Sequence, residues 1–345
     1  MFLSGWLELL THRVAERIDY HSMSSSNHGI YNERLKLATL EEDDFIRIGL
    51  MAVIGGMVYL LYHFLGNTPN FNVYGRSIFA WVTDQWNSGS GASDYSHGWL
   101  IPIVSLAIVY WKRREIVEAP KNINKFGLVL IALALFAHWA GTKAQHPRIS
   151  LFALILFLWA VPLYLCGWRT AKHLIFPCTF LFFCVPLQFL EELSKPLQRL
   201  VSIVGADMLD GLGIPVDRVG TVVTARNGDF TLNVEAPCSG LRSLIAMMAL
   251  TAVYSYITMP SFFKKWSLFL CAIPLAVVGN IFRVMSIGLV SSAFGQKIGA
   301  GLFHDYSGYL VFAVAISLMV AIGGLLDLQW KENWEKWKSS QLRAG

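Results

Sequence analysis

Charge is scarce in this chain. Lys, Arg, Asp and Glu make up 15% of its 345 residues, whereas 54% are hydrophobic and 12 are Trp. That is too apolar for a soluble domain of this length, so the chain reads as an integral membrane protein. It also lacks a basic stripe. The formal charge is +5, but the basic residues gather in short segments flanking apolar runs, where they set topology, and nucleic acid is excluded as a partner. Cysteine is sparse: of the 5 present, Cys166, Cys178, Cys184 and Cys271 lie inside apolar runs as packing residues, and no Cys-x-x-Cys spacing marks a metal site. His97 with Asp94, and His138 with His146, have no ligand spacing either. No metal and no cofactor is expected. A Gly-x-Ser-x-Gly elbow is missing, which removes the usual serine nucleophile. No tandem repeat is evident. No cleavable signal peptide opens the chain, because residues 1–44 are polar and mixed in charge, with a low-complexity stretch at 22–27. The first span is therefore expected to double as the targeting signal.

Apolar runs able, or nearly able, to cross about 30 Å of hydrocarbon fall at 46–65, 97–111, 126–141, 149–166, 173–190, 240–258, 266–293 and 306–327. They predict an all-α polytopic membrane protein, a bundle of about eight transmembrane helices. The segment 74–87 reads as an amphipathic helix at the interface, with Trp81 and Trp86 in an aromatic belt. With the N-terminus inside, the inner segments carry 18 Lys and Arg and the outer segments 8. The positive-inside rule then selects N-in and C-in, in a cytoplasmic (inner) membrane.

The expected plan is a cytoplasmic extension over 1–45, a single transmembrane domain over 46–327 and a cytoplasmic tail over 328–345. In that tail Trp330, Trp334 and Trp337 form an interfacial anchor. An outer loop spans 191–238. Its first part, 187–212, reads as one or two amphipathic helices, with Asp207 and Asp210 capping or solvating the helical segment. Then Val219, Thr221 and Val223 alternate up to Asn227-Gly228, and Phe230, Leu232 and Val234 alternate after it. Asn-Gly between alternating runs is a strong hairpin signal, so a small β-hairpin is expected over 216–235 on the outer face.

Three polar clusters fall at the outer ends of the late apolar segments: Ala236-Pro237-Cys238-Ser239-Gly240-Leu241-Arg242, Gly279-Asn280-Ile281-Phe282-Arg283-Val284 and Phe303-His304-Asp305. Ionisable residues in a membrane segment are a functional-site hypothesis. Cys238 sits at a helix start, where the dipole and unsatisfied amides favour an anion, and Arg242 follows one turn on. Both effects favour the thiolate, and the same amides suit an oxyanion. The plain alternative is a small buried cysteine with an arginine snorkelling outwards. Asn280 and Arg283 share a helical face. The guanidinium there either holds a carboxylate or carbonyl, or pairs structurally with Asp305 or a loop carbonyl. His304 has the pKa range of an acid or base, or else is a polar cap; Asp305 is adjacent but points elsewhere on a helix. His97, in Tyr95-Ser96-His97-Gly98, starts the second run at the same outer level.

Taken together, these three motifs and Tyr95-Ser96-His97-Gly98 closely resemble the exosortase and archaeosortase family, over about 70–327. The resemblance implies a multi-pass cysteine endopeptidase, in the main a transpeptidase, with a role like that of sortase on an unrelated fold. It implies as partner the C-terminal sorting signal of exported proteins: a Pro-Glu-Pro-like motif (PEP-CTERM), one transmembrane helix and a basic tail. Carried over residue by residue, it makes Cys238 the nucleophile, Arg283 the essential cation and His304 the proton carrier. Ser239, Arg242, Asn280, Asp305 and His97 become supporting or substrate-binding residues, and Arg242 or Arg218 would meet the motif glutamate. Membrane lipid surrounds the site, and the acceptor is water, or an extracellular glycan or lipid amine. Two other classes compete: a non-enzymatic membrane component of exopolysaccharide export whose arginines bind anionic glycan, and a membrane acyltransferase with His304 as base. Only the peptidase needs the Cys238 thiol.

Overall fold

The computed structural model describes the backbone of residues 42–87, 95–234 and 241–344; within these, the side chains of 42–44, 96, 188–194, 241–243, 300, 302, 304–305 and 327–344 lie outside the description. The extension 1–45 is thus almost wholly outside the described residues. The chain gathers into two units, one ending at Gln188 and the other running from Phe189.

The first unit holds α1 (Glu42–Phe64), α2 (Phe71–Tyr74), α3 (Ile78–Asn87), a 3-10 turn (Ser96–Trp99) leading into α4 (Leu100–Trp111), and α5 (Arg113–Glu118). It continues through α6 (Lys125–Lys143), α7 (Pro147–Cys166) and α8 (Trp168–Phe180) to a second 3-10 turn, Leu181–Cys184. Its core joins Tyr62 of α1, Ile78 and Trp81 of α3, Ala134 of α6, and Ile155 and Val161 of α7. Half of α7 is buried, against 11% of the apolar stretch of α1, so α7 is the central helix and α1 presents apolar surface outwards, as a lipid-facing helix does. Gly127, Ala134 and Gly141, seven residues apart, form the seam between α6 and α7. A Cβ on Gly127 would lie 2.5 Å from the Tyr164 amide nitrogen, and one on Gly141 would lie 2.9 Å from Ser150 Oγ. Small residues let two membrane helices approach to backbone contact.

Two expectations for this unit are corrected. The run 173–190 is not one helix. Val185 is extended (φ −86°, ψ 120°), the conformation that Pro186 imposes on the residue before it. Pro177 lies within α8, and the helix tightens to 3-10 just beyond it, where the Leu181 amide donates to Cys178. Ser105 Oγ of α4 donates to the Pro177 carbonyl at 2.8 Å, a hydroxyl supplying a donor where the helix is irregular in an apolar setting. Within the segment 74–87 only Ile78–Asn87 forms the amphipathic helix, since Tyr74 closes α2 and Gly75 (φ 58°) turns the chain, and Trp81 is buried at 4% exposure. Its ring takes the Arg148 guanidinium at 5.3 Å, so it is a core residue and not a member of an interfacial belt. Trp86 is held too, its Nε1 donating to the Cys184 carbonyl at 2.8 Å.

The second unit begins with α9 (Gln188–Gly211), a single helix where the loop pattern left one or two open. A sheet of β1 (Val216–Val219), β2 (Val222–Ala225) and β3 (Thr231–Asn233) follows, then α10 (Leu241–Thr258), α11 (Phe262–Phe294), a π-helical turn (Lys297–Phe303) and α12 (His304–Ala344). The expected hairpin is a three-stranded antiparallel meander, β1-β2-β3. Asn227-Gly228 does reverse the chain between β2 and β3, with Val223 opposite Leu232 and Gly228 at φ 80°. Thr221 is not in a strand, because Gly220 (φ 65°) turns the chain there and pairs Val219 with Val222. Val223, Phe230 and Leu232 on one face pack against Val201 and Leu209 of α9 and Val284 and Ile287 of α11. α9 and α11 meet through glycines: a Cβ on Gly288 would strike Leu209 Cδ1 at 2.6 Å.

Among the described residues, five helical stretches are long and apolar enough to cross a membrane: Phe45–Phe64, Lys125–Lys143, Pro147–Cys166, Phe262–Phe294 and Tyr306–Leu326. His97–Trp111 and Leu244–Thr258 are apolar but shorter. Eight runs thus yield seven apolar helices, five of spanning length, and one run broken by its prolines.

Candidate functional site

The site grows from α11. Ser261 caps this helix, accepting the Lys264 amide on Oγ at 3.3 Å. It then runs for 33 residues, long enough to carry a polar turn deep in its second half. Val284 and Gly288 form the strip facing the sheet and α9. Gly279, Asn280 and Arg283 form a neighbouring strip, as their spacing requires in an α-helix, and this strip faces α10 and α12. Together with Met247 of α10 and Gly308 and Phe312 of α12 they line a small cavity of about 30 Å³, room enough for water.

Within it Asn280 is buried at 4% exposure and Arg283 is half-buried. The Arg283 Nε donates to Ser307 Oγ at 3.2 Å. The guanidinium lies over Gly308, where a Cβ would sit 3.5 Å from Nη2. One turn away, a Cβ on Gly279 would meet Val311 Cγ1 at 2.9 Å. Gly279 thus allows the close crossing that brings a cation of α11 onto the first turns of α12.

The connection is helical as well. Gly295 (φ 86°) ends α11, and Lys297–Phe303, between the apolar runs 266–293 and 306–327, forms a π-helical turn. This turn folds back on the end of α11: Gly299 sits so close to Ser291 that a Cβ would overlap its amide nitrogen at 2.5 Å. π-helical turns are rare and concentrate at functional sites, and this one delivers the chain to His304, the first residue of α12.

The backbone therefore places His304 one turn before Ser307, the residue that binds Arg283, so the Arg283 and His304 motifs meet in one place. The side chains of His304 and Asp305 lie outside the described residues. Cys238 and Ser239 lie outside them altogether; α10 opens at Leu241, three positions on, and the Arg242 side chain is not described. Arg218 is exposed on β1 and donates to the Gly220 carbonyl at 2.6 Å. His97 belongs to the first unit, where its Nε2 lies 3.2 Å from the Phe183 carbonyl. Nearby, Tyr95 Oη accepts the Leu187 amide at 2.8 Å. Ser307 and Gly308 escaped the sequence reading, and Gly279 entered it only as part of a motif, with no role of its own. Ser307 carried one signal, its i+3 spacing from His304, which places both on one face of α12.

Helices of membrane length, with an arginine and a buried asparagine turned inwards on a small cavity, define a multi-pass membrane protein with a polar site among its helices. A family model for the transmembrane exosortases matches residues 86–321, more than half of the chain. The chain belongs to the transmembrane exosortase family. No curated protein and no solved structure matches it.

Proposed function

We propose that this protein is a membrane cysteine peptidase, in the main a transpeptidase, that removes the C-terminal sorting signal of exported proteins at the outer face of the cytoplasmic membrane. The observation that carries the reading is the family match over 86–321, a range that takes in all three motifs, at 236–242, 279–284 and 303–305. The contact of Arg283 with the first turns of α12 supports it, because the essential cation and the proton carrier belong to adjoining helix turns.

In this reading the substrate's tail helix packs beside the bundle and its Pro-Glu-Pro-like motif emerges at the outer interface. The Cys238 thiolate attacks the adjoining peptide carbonyl, and the carbonyl electrons move to oxygen, where the Arg283 guanidinium steadies the charge. The C–N bond breaks as protonated His304 gives its proton to the leaving amine. A thioester on Cys238 remains. Neutral His304 then takes a proton from water or an acceptor amine, which attacks the thioester and expels the thiolate. Asn280 orients the guanidinium side of the site, and Arg242 stabilises the resting thiolate. Ser239, Asp305 and His97 support substrate or base. The chain is N-in and C-in, with a transmembrane domain over 46–327 and eight membrane-embedded segments, the shorter helices and the broken run 173–190 included.

The test is processing of a tailed reporter co-expressed with the full chain. Wild type should shorten it, and Cys238→Ala and Cys238→Ser should leave it full length while accumulating normally in the membrane. Shortening at the wild-type rate by either variant would falsify the reading.

A further inference from the structure

We propose that Ser307 is the positioning residue of Arg283, setting the plane of its guanidinium; the proposal rests on the reading of Arg283 as the cation of the peptidase site. An arginine on a helix among Val277, Val278, Ile281 and Phe282 has a long stem and freedom to swing towards water. Left to itself it would sample many rotamers, and a planar fork helps only when its direction is held. Ser307 supplies the hold. Its hydroxyl is buried at 2% exposure and accepts from Arg283 Nε at 3.2 Å.

The choice of atom matters. A bond at Nε fixes the guanidinium plane about the last side-chain torsion, and with it the directions of Nη1 and Nη2. A bond to one Nη would leave that torsion freer. Gly308 adjoins the ion, and the guanidinium rests at ordinary van der Waals distance from it, a would-be Cβ lying 3.5 Å from Nη2 and 3.6 Å from Cζ. Ser307 is also one helical turn from His304, so the hydroxyl ties the cation to the turn that carries the proton donor. Ser307 touches no reacting atom and acts only through Arg283.

The experiment uses the full chain in detergent and two readouts. The first is hydrogen exchange of the Arg283 Nε–H, followed by nitrogen-15 NMR and assigned by its disappearance in Arg283→Lys. Ser307→Ala should speed that exchange about tenfold or more, and Ser307→Thr, which keeps the hydroxyl, should restore it. The second is kcat/KM on the tailed reporter, which should fall about tenfold in Ser307→Ala and recover in Ser307→Thr. Unchanged exchange in Ser307→Ala overturns the bond, and faster exchange with unaltered kcat/KM overturns the positioning role. Cys238→Ala separates the two levels. If it is inactive while Ser307→Ala is fully active, only the role of Ser307 falls; if it cleaves normally, the peptidase reading falls whatever Ser307 does.

Discussion

Gly279 of α11 and Val311 of α12 touch so closely that a Cβ on residue 279 would lie 2.9 Å from Val311 Cγ1. Valine is stiff about its first torsion and cannot swing aside, so any side chain at 279 must push the helices apart. Gly279→Leu should cost about 1–3 kcal/mol of overpacking and lower the thermal midpoint of the detergent-solubilised protein. It should also lower reporter cleavage, because Arg283 reaches Ser307 across this same crossing. Gly55→Ala is the control: nothing lies within 4 Å of its would-be Cβ, and its midpoint should be unchanged or raised. Equal midpoints for Gly279→Leu and wild type would remove the close crossing from the account.

The two cations should answer differently to the same substitution. Arg283→Lys keeps the charge but has no Nε–H for Ser307 and no planar fork, so turnover should be nearly abolished. Arg242→Lys keeps the charge that favours the Cys238 thiolate and should retain much of the activity. Cleavage of the tailed reporter by both variants is the measurement. Full activity in Arg283→Lys would show that charge alone suffices there.

Cys238 should react as a thiolate at a pH where an ordinary thiol does not. A helix start and the Arg242 charge both favour the ionised form, so labelling by a thiol reagent should persist below about pH 8.5. Arg242→Ala withdraws one of these effects and should move both the labelling curve and the cleavage profile to higher pH. An unmoved pair of curves would assign Arg242 to substrate or structure instead.

Topology can be read with an impermeant reagent. Single cysteines at Asn87 and Asn227 should react from outside intact cells, and those at Lys121 and Ser340 only after lysis. The 18 to 8 division of Lys and Arg between inner and outer segments motivates the assignment. The reverse pattern would put the Arg283 site on the cytoplasmic side.

Much of the fold was legible because its determinants are local. Asn227-Gly228 marked the reversal between β2 and β3 through the backbone conformation that glycine permits there. The amphipathic helix over 78–87 was legible, but the burial of Trp81 was not: an aromatic on an apolar stripe looks alike whether it faces headgroups or Arg148 and the core. What the pattern hid was the turn at Gly220, which splits the expected first arm of the hairpin into β1 and β2: Asp217 and Arg218 blur the alternation, and an exposed edge strand tolerates them. Pro177 and Pro186 stood in plain view inside 173–190, yet hydropathy alone reads through them, since it sums transfer preference and ignores a missing amide donor.

By itself, the sequence determined the membrane class, the apolar helices and the motif residues Cys238, Arg283 and His304, because composition, periodicity and motif order are properties of the linear chain. The tertiary structure alone decided that Arg283 meets Ser307, 24 positions away, and that a small cavity forms beside Asn280. Which residues of two helices face each other depends on their crossing and register. Here these are set by contacts at Gly279 and Gly299 and by the π-helical turn before His304, where absent side chains let the helices come close enough for one arginine to reach one hydroxyl.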